Sequence, residues 1–177
     1  MNGIRYVLVD VFTDRPLAGN QLAVFTDGRA LDDRLMQALA REMNFSESVF
    51  LFPPTDRRVA QARIRIFTPT REIPFAGHPT IGAAFVVGTT VQLDDLTLET
   101  GRGPVPLKLH RDGARVAFAW MTQPLPRMEA VPDEAALLAA LGVPGATLPI
   151  ALYDNGVRHA FVALPSAEAV AAVSPDM

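Results

Sequence analysis

The segment at residues 74–84, PFAGHPTIGAA, constrains the fold of this chain more than any other. Gly77 permits backbone dihedrals that other residues resist, and Pro79 fits the first turn of a helix, where its missing N–H costs nothing. Small and apolar residues continue as far as Val87, which predicts a helix. The start of a helix attracts anions because its backbone N–H groups are unpaired and its peptide dipoles are aligned. His78 lies at the start of this predicted helix. The alternative interpretation is a helix-capping turn with an incidental histidine.

The composition excludes several classes of function. The chain has 177 residues, 49% of them hydrophobic, and a formal net charge of −3, which is typical of one domain, or one and a partial second. Its basic residues are scattered, so we expect no nucleic-acid partner. It contains no apolar run that could span a bilayer, and its first residues lack the layout of a signal peptide. We therefore expect no membrane association and a cytoplasmic location.

The reactive side chains exclude further kinds of site. The chain has no cysteine, and therefore no disulfide, thiolate nucleophile or thiol-bound zinc. Its histidines, His78, His110 and His159, are not at the spacing of helical metal ligands, so we expect no metal, and we expect His110 to be exposed. The GRGP segment at 101–104 lacks the third glycine of a dinucleotide fingerprint, and no Walker-type lysine motif is present. We expect no cofactor.

The hydrophobic pattern predicts a mixture of strands and helices without regular alternation. A proline-rich segment at 122–127 is interpreted as a linker between a first lobe, residues 1–121, and a second, residues 128–177. In the first lobe, strands are predicted at 4–12, 21–25, 48–52, 63–67, 96–99, 105–110 and 115–120, with helices at 33–43 and 79–87. In the second lobe, helices are predicted after Asp133 and Ser166, and strands at 150–153 and 158–164.

Several motifs resemble the phenazine-biosynthesis PhzF family. Their order and spacing make a chance match improbable, and they lie at residues 10–13 (DVFT), 19–20 (GN), 36–37 (MQ), 40–50 (AREMNFSESVF), 65–69 (RIFTP) and 72–80 (EIPFAGHPT). The passage at 155–164 resembles the start of the family's second lobe more loosely. One departure is Gln21, where the family commonly has proline.

This resemblance implies a fold and an activity. The fold is α+β and diaminopimelate-epimerase-like, in which each lobe wraps a mixed, mostly antiparallel sheet around a central helix and the active site lies between the lobes. Family members are cofactor-independent isomerases and epimerases that move protons on small molecules, and the best-known substrate is a dihydro-hydroxyanthranilate. The resemblance also implies a homodimer.

The motif match assigns roles to five residues. Glu47 matches the family's general acid/base carboxylate and His78 its site histidine, so both are predicted to be catalytic. Asn20, Gly77 and Thr80 are predicted to bind the substrate, a small carboxylate-bearing metabolite. Removing a proton from carbon requires a base in a dry cavity and hydrogen-bond donors for the anion that forms, and the apolar residues around Glu47 predict such burial.

Each of these residues also has a structural interpretation. Glu47 between two serines could be an exposed strand-end residue, Asn20 could form a turn, and Thr80 could satisfy the helix terminus. Glu72 is interpreted as a solvated charge, and Asp10 as either a partner of the site or a strand-end structural residue.

The second lobe is expected to be incomplete. The family's second lobe carries an Asp-Pro-Ala-Thr-Gly-Ser type of motif, and residues 128–177 contain no match to it. We therefore expect little activity from this chain alone. The alternative function is a non-catalytic PhzF-like binding or interaction module, and a hydrolase is disfavoured because no serine elbow is present.

Overall fold

The computed structural model describes residues 3–123 and 125–176, and the chain divides after Gln123 into two compact units. Pro124, which the predicted linker contains, lies outside the described residues. Arg127, the last residue of that linker, belongs to a strand because its backbone pairs with Asp154. The structure therefore differs from the linker prediction at this residue.

The first unit contains a large sheet and two helices. In its described residues the strands are β1 (Tyr6–Val11), β2 (Asn20–Phe25), β3 (Glu47–Phe52), β4 (Ala62–Phe67), β5 (Glu72–Ile73), β6 (Asp95–Thr100), β7 (Gly103–Asp112) and β8 (Arg115–Met121). The helices are α1 (Asp33–Met43) and α2 (Gly77–Val91).

The sheet is mixed and mostly antiparallel. Its strand order is β1-β2-β3-β4-β6-β7-β8, and β5 pairs with β4. The pairs β2–β3 and β4–β6 are parallel, whereas the other pairs are antiparallel. Helix α2 contacts strands from β1 to β8, so the sheet curls around this helix.

The small residues of α2 allow the sheet to approach it closely. A Cβ atom added at Gly82 would lie 2.5 Å from Leu22 Cδ2, and one at Gly88 would lie 2.4 Å from Leu109 Cδ1. The helix begins at Gly77, after the N-cap Ala76, and it continues beyond the predicted Val87 to Val91. The predicted helix start at the GHP sequence is found in the structure.

Helix α1 packs against an aromatic cluster of the sheet. The Asp32 side chain caps this helix by accepting a hydrogen bond of 2.7 Å from the Leu35 N–H, as the sequence predicts. Phe50 stacks on the Phe25 ring at 4.5 Å and meets the Phe67 ring edge-on at 5.4 Å. The buried residues of this cluster are Ala23, Phe25, Met36, Ala40, Phe50 and Phe67.

Two strand boundaries differ from the prediction for identifiable reasons. The strand predicted at 4–12 ends at Val11, because Phe12 adopts a left-handed φ of 65° that an extended strand cannot contain. Strand β5 has only two residues, which is too short to produce a periodic pattern.

The second unit contains a small antiparallel sheet and two short helices. Its described strands are β9 (Arg127–Ala130), β10 (Ala151–Asp154) and β11 (Arg158–Phe161), in the order β11-β10-β9. Helices α3 (Glu134–Leu141) and α4 (Ala167–Ala171) begin after the caps Asp133 and Ser166, as predicted. The strand predicted at 158–164 ends at Phe161.

The longest helix in the described part of the chain, α2, has 15 residues. None of the described helices combines the length and the apolar character needed to cross a membrane.

Candidate active site

The two residues predicted to be catalytic come together where β3 and α2 begin. Strands β2 and β3 run in parallel, so they start at the same end of the sheet, and Glu47 at the start of β3 is in register with Leu22. His78 is the second residue of α2, the helix around which the sheet curls. Strand β3 and helix α2 therefore deliver the carboxylate and the imidazole to one place, although the two residues are far apart in the sequence.

The carboxylate and the imidazole lie within reach of each other. His78 Nε2 is 3.5 Å from Glu47 Oε2, and the side chains are 9% and 18% exposed respectively. Both atoms are buried, and neither has a hydrogen-bond partner among the described residues. Buried polar atoms are normally paired, and leaving one unpaired costs free energy. This pair is therefore available for polar atoms of a bound molecule.

Burial determines the protonation state of the imidazole. It lowers the pKa of His78 below the usual 6.5, and the negative charge of Glu47 and hydrogen bonding to the Gln21 backbone oppose this shift only in part. The ring is therefore neutral at neutral pH. A neutral imidazole has one nitrogen that donates a hydrogen bond and one that accepts, so His78 can relay a proton.

Asn20 lies at the same end of the sheet as Glu47. It is the first residue of β2, and its Oδ1 accepts a hydrogen bond of 3.3 Å from Ser46 Oγ, in the residue before Glu47. Its side chain is exposed, so it remains accessible to a ligand. Its role in substrate binding stays a prediction.

Gly77 and Thr80 lie in the first turn of α2 but differ in accessibility. A Cβ atom at Gly77 would meet only Met121 Cε, at 3.9 Å, so the backbone here is open. Thr80 is completely buried, and its hydroxyl donates a hydrogen bond of 2.8 Å to the Ala76 carbonyl. That geometry matches the alternative interpretation, in which Thr80 satisfies the helix terminus. The substrate-binding roles of both residues stay predictions.

Comparison with known proteins identifies the family. The family described as phenazine biosynthesis-like protein matches residues 9–177, nearly the whole chain. The chain belongs to this family. One curated relative, trans-2,3-dihydro-3-hydroxyanthranilate isomerase of Pseudomonas aeruginosa, is 49% identical over 172 residues, which are 97% of this chain and 61% of that protein. The chain thus spans less than two thirds of the length of this relative. The resemblance to the PhzF family that the motifs indicate is confirmed.

Solved structures of related proteins have the same fold. A protein described as a predicted epimerase from Pseudomonas aeruginosa superposes with a TM-score of 0.84 at 35% identity, over 99% of this chain and 64% of that one. A hydroxyproline epimerase from Agrobacterium vitis superposes with a TM-score of 0.64 at 16% identity, over 89% of this chain and 51% of that one, and this shows the fold alone. The predicted α+β, diaminopimelate-epimerase-like fold is confirmed.

One neighbour of His78 was not predicted from the sequence. The Gln21 backbone interacts with the His78 ring, whereas sequence reasoning treated Gln21 only as a departure from the family pattern in a turn. An interaction made by the backbone cannot be predicted from the type of the side chain. The position of Gln21, between Asn20 and the buried residues of β2, was the available indication that it lies near the site.

Two charged residues considered as exposed or site-related have structural partners. Glu72 is exposed, in agreement with its interpretation as a solvated charge, and both of its carboxylate oxygens also accept hydrogen bonds from Arg65, at 2.7 and 2.6 Å. Asp10 Oδ2 accepts a hydrogen bond of 2.8 Å from the Leu17 N–H and so holds the β1–β2 loop. This favours the structural interpretation of Asp10. His110 is exposed on β7, as predicted.

Metal-ligating side chains do not gather in the described part of the chain. No group of three or more His, Asp or Glu side chains there is arranged to hold an ion. Glu47 and His78 are the titratable pair that the structure brings together here, and their catalytic roles stay predictions.

Proposed function

We propose that this chain is part of a cofactor-independent isomerase or epimerase that moves a proton on a small carboxylate-bearing metabolite. Glu47 is the general acid/base, and His78 assists it. The observation that carries the proposal is the buried contact of 3.5 Å between the two side chains, whose facing atoms have no hydrogen-bond partner among the described residues.

The chemistry follows from the protonation states. Glu47 takes a proton from one carbon of the substrate and returns it to another carbon, or to the other face of the same one. The one N–H of the neutral His78 ring is donated to the Gln21 backbone, so Nε2 faces Glu47 as an acceptor and can take up a proton during the reaction, in a setting from which burial excludes water. The number of protons is unchanged over the cycle, so no external acid or base is consumed, and the proton held by Glu47 exchanges with solvent before it is returned.

The substrate class is supported by the relatives and by the start of α2. The Pseudomonas aeruginosa relative is named for an isomerisation of trans-2,3-dihydro-3-hydroxyanthranilate, a small carboxylate. The backbone N–H groups in the first turn of α2 can donate hydrogen bonds to a carboxylate, and few atoms surround the backbone of Gly77 there. Asn20 and Thr80 are proposed to complete the binding of the substrate.

The proposal extends to location and assembly. It places the protein in the cytoplasm as a homodimer, without a nucleic-acid or membrane partner. Light scattering coupled to gel filtration measures the mass in solution, and a monomer at all concentrations would contradict the dimer.

Replacement of the acid tests the proposed function. In the whole protein of which this chain is proposed to be part, Glu47→Gln keeps the shape of the side chain and removes the base, so incorporation of solvent deuterium into trans-2,3-dihydro-3-hydroxyanthranilate should fall by roughly 10²–10⁴-fold. Mass spectrometry of the recovered substrate and product measures this incorporation. Glu42→Gln is the matched control, because Glu42 is exposed on α1, outside the site, and its exchange rate should equal that of the wild type.

The same experiment distinguishes the alternative function. Exposed aromatic side chains on β8, Phe118 and Trp120, are the observation that favours a binding or interaction module. A module of that kind would show no exchange in the wild type and an affinity for the compound that Glu47→Gln leaves unchanged. Equal exchange in the wild type and in Glu47→Gln would reject the proposed role of Glu47.

A further inference from the structure

A cavity lined by β4 lies on the opposite face of the sheet from the Glu47–His78 pair. Along β4, the buried residues Ile64 and Ile66 point to one face of the sheet. Arg63 and Arg65 point to the other face, which is also the face of Phe67 in the aromatic cluster. The cavity has a volume of about 500 Å³, within the range of small-molecule sites. Its principal lining residues are Arg63, Arg65, Glu72, Ile73, Pro74 and Glu99.

The two arginines of this cavity differ in their partners. Arg65 is fully engaged, because it donates hydrogen bonds of 2.6 to 2.7 Å to Glu72 and Asp33. Arg63 has neither a hydrogen bond nor an ion pair among the described residues, and its buried Nε lacks an acceptor. Its guanidinium lies over the Phe52 ring at 5.1 Å. Since a buried charged donor without an acceptor costs free energy, Arg63 is the group in this cavity that a ligand can satisfy.

The carboxylates around Arg63 already have donors. The Glu99 oxygens accept hydrogen bonds of 2.7 Å from the Thr55 N–H and 2.6 Å from the Thr55 hydroxyl. Both oxygens of Glu72 are held by Arg65. A ligand therefore meets the Arg63 cation, which attracts Glu99 without a hydrogen bond to it, and two carboxylates close by. This arrangement favours a single negative charge over a multiply charged anion.

The wall of the cavity is already in place. Thr100 Oγ1 donates to the Gly103 carbonyl and accepts from the Arg102 N–H, which fixes the turn after β6. A Cβ atom at Gly101 would lie 2.8 Å from Pro74 Cα, so this turn packs directly on Pro74. Little ordering is needed on binding, and the apolar part of a ligand can contact Ile73 and Pro74.

We propose that this cavity is a binding site for a small monocarboxylate with an apolar body, whose carboxylate accepts hydrogen bonds from the Arg63 guanidinium. The site is separate from the proposed acid/base site, and it does not depend on the proposed function. Any effect of a ligand on turnover would be exerted from a different face of the sheet.

Benzoate is a suitable probe, because it carries one carboxylate and one apolar ring. In calorimetric titration of the 177-residue chain, we expect saturable binding of benzoate and weaker binding of inorganic phosphate. Arg63→Gln should weaken the binding of benzoate by about tenfold or more, since it removes a charge-assisted hydrogen bond. Arg58→Gln removes the same charge from an exposed side chain that pairs with Asp56, and it should bind benzoate as the wild type does.

Two controls exclude misfolding and binding at another site as explanations. Circular dichroism verifies that Arg63→Gln is folded; if it is not, Arg63→Lys keeps the charge without the planar fork and should still lose affinity. Benzoate can also occupy the proposed acid/base site, and Glu47→Gln identifies that component of the titration, because the component that remains should be the one that Arg63→Gln weakens. The proposal is overturned if benzoate does not bind, or if Arg63→Gln binds it as the wild type does. Phosphate binding as tight as that of benzoate would overturn the preference for a single charge.

Discussion

His78 is subject to two opposing influences. Burial favours its neutral form, whereas the Glu47 carboxylate at 3.5 Å favours its charged form, and burial is the larger of the two. His78 is therefore neutral at neutral pH although it lies beside a carboxylate. A neutral imidazole beside an acid can accept a proton from it. The same balance couples the stability of the protein to pH.

The sign of this coupling follows from where protons bind. Below about pH 6.5 the unfolded chain protonates His78 while the folded chain, with its lowered pKa, resists protonation. The free energy of unfolding should therefore decrease as the pH falls from 7.5 through 6.5 towards the lowered pKa, and this contribution should be constant above that window. Urea unfolding of the wild type and of His78→Gln measures it, and the variant should lose part of the pH dependence.

His110→Gln is the matched control for this measurement. His110 is exposed on β7 and contacts Phe118, with no carboxylate within ion-pair distance in the described residues. Its replacement should leave the pH dependence close to that of the wild type. Identical pH profiles for His78→Gln and the wild type would show that His78 is not held neutral by burial.

At the scale of elements, the β1–β2 loop positions the strand that begins with Asn20. Gly19 allows the loop to close on itself, since a Cβ atom there would lie 2.6 Å from the Val11 carbonyl oxygen and 2.6 Å from Thr13 Cγ2. The carbonyl belongs to a paired strand and cannot move easily. The loop is also tied by the hydrogen bond from the Leu17 N–H to Asp10.

Gly19→Ala should therefore destabilise the protein by about 1–3 kcal/mol, the range found for overpacking. The reason is the contact with the Val11 carbonyl, and the midpoint of urea unfolding measures the effect. Gly145→Ala is the control, because a Cβ atom at Gly145 would meet nothing within 4 Å. A midpoint for Gly19→Ala equal to that of Gly145→Ala would contradict the proposed close approach.

The elements with local signals were predictable, and those fixed by distant pairing were not. The cap of Asp32, the start of α2 at Gly77 and the alternation of β4 follow from residues close in sequence. The two-residue β5 and strand β9, which follows a proline-rich segment, form only because partner strands supply hydrogen bonds.

The candidate site was predicted unevenly for the same reason. The motif resemblance pointed to Glu47 and His78, and the structure brings these two side chains together. The interaction of Gln21 with the ring and the engagement of Glu72 by Arg65 depend on sheet register, which hydrophobic periodicity does not determine.

At the scale of the whole molecule, the two units differ greatly in their cores. The first unit buries the aromatic cluster on one face of its sheet and α2 on the other. In the described part of the second unit, Ile150 is the one buried hydrophobic residue, and neither α3 nor α4 has a buried residue. The first unit therefore has the larger capacity to fold independently.

A fragment of residues 1–123 should unfold cooperatively with the near-ultraviolet circular dichroism of a packed protein, because it retains the aromatic cluster and α2. A fragment of residues 124–177 should be unfolded by the same measurement, because it buries too little apolar surface to offset its conformational entropy. A non-cooperative first fragment, or a cooperative second one, would contradict this division of stability.

The parallel pairing of β2 with β3 through α1 has a consequence for biosynthesis. Because this crossover is continuous in the chain, Asn20 and Glu47 leave the ribosome before His78 does. During synthesis, the strand that carries Glu47 is therefore available to pair before α2 is complete. His78 joins Glu47 only when α2 packs into the curled sheet.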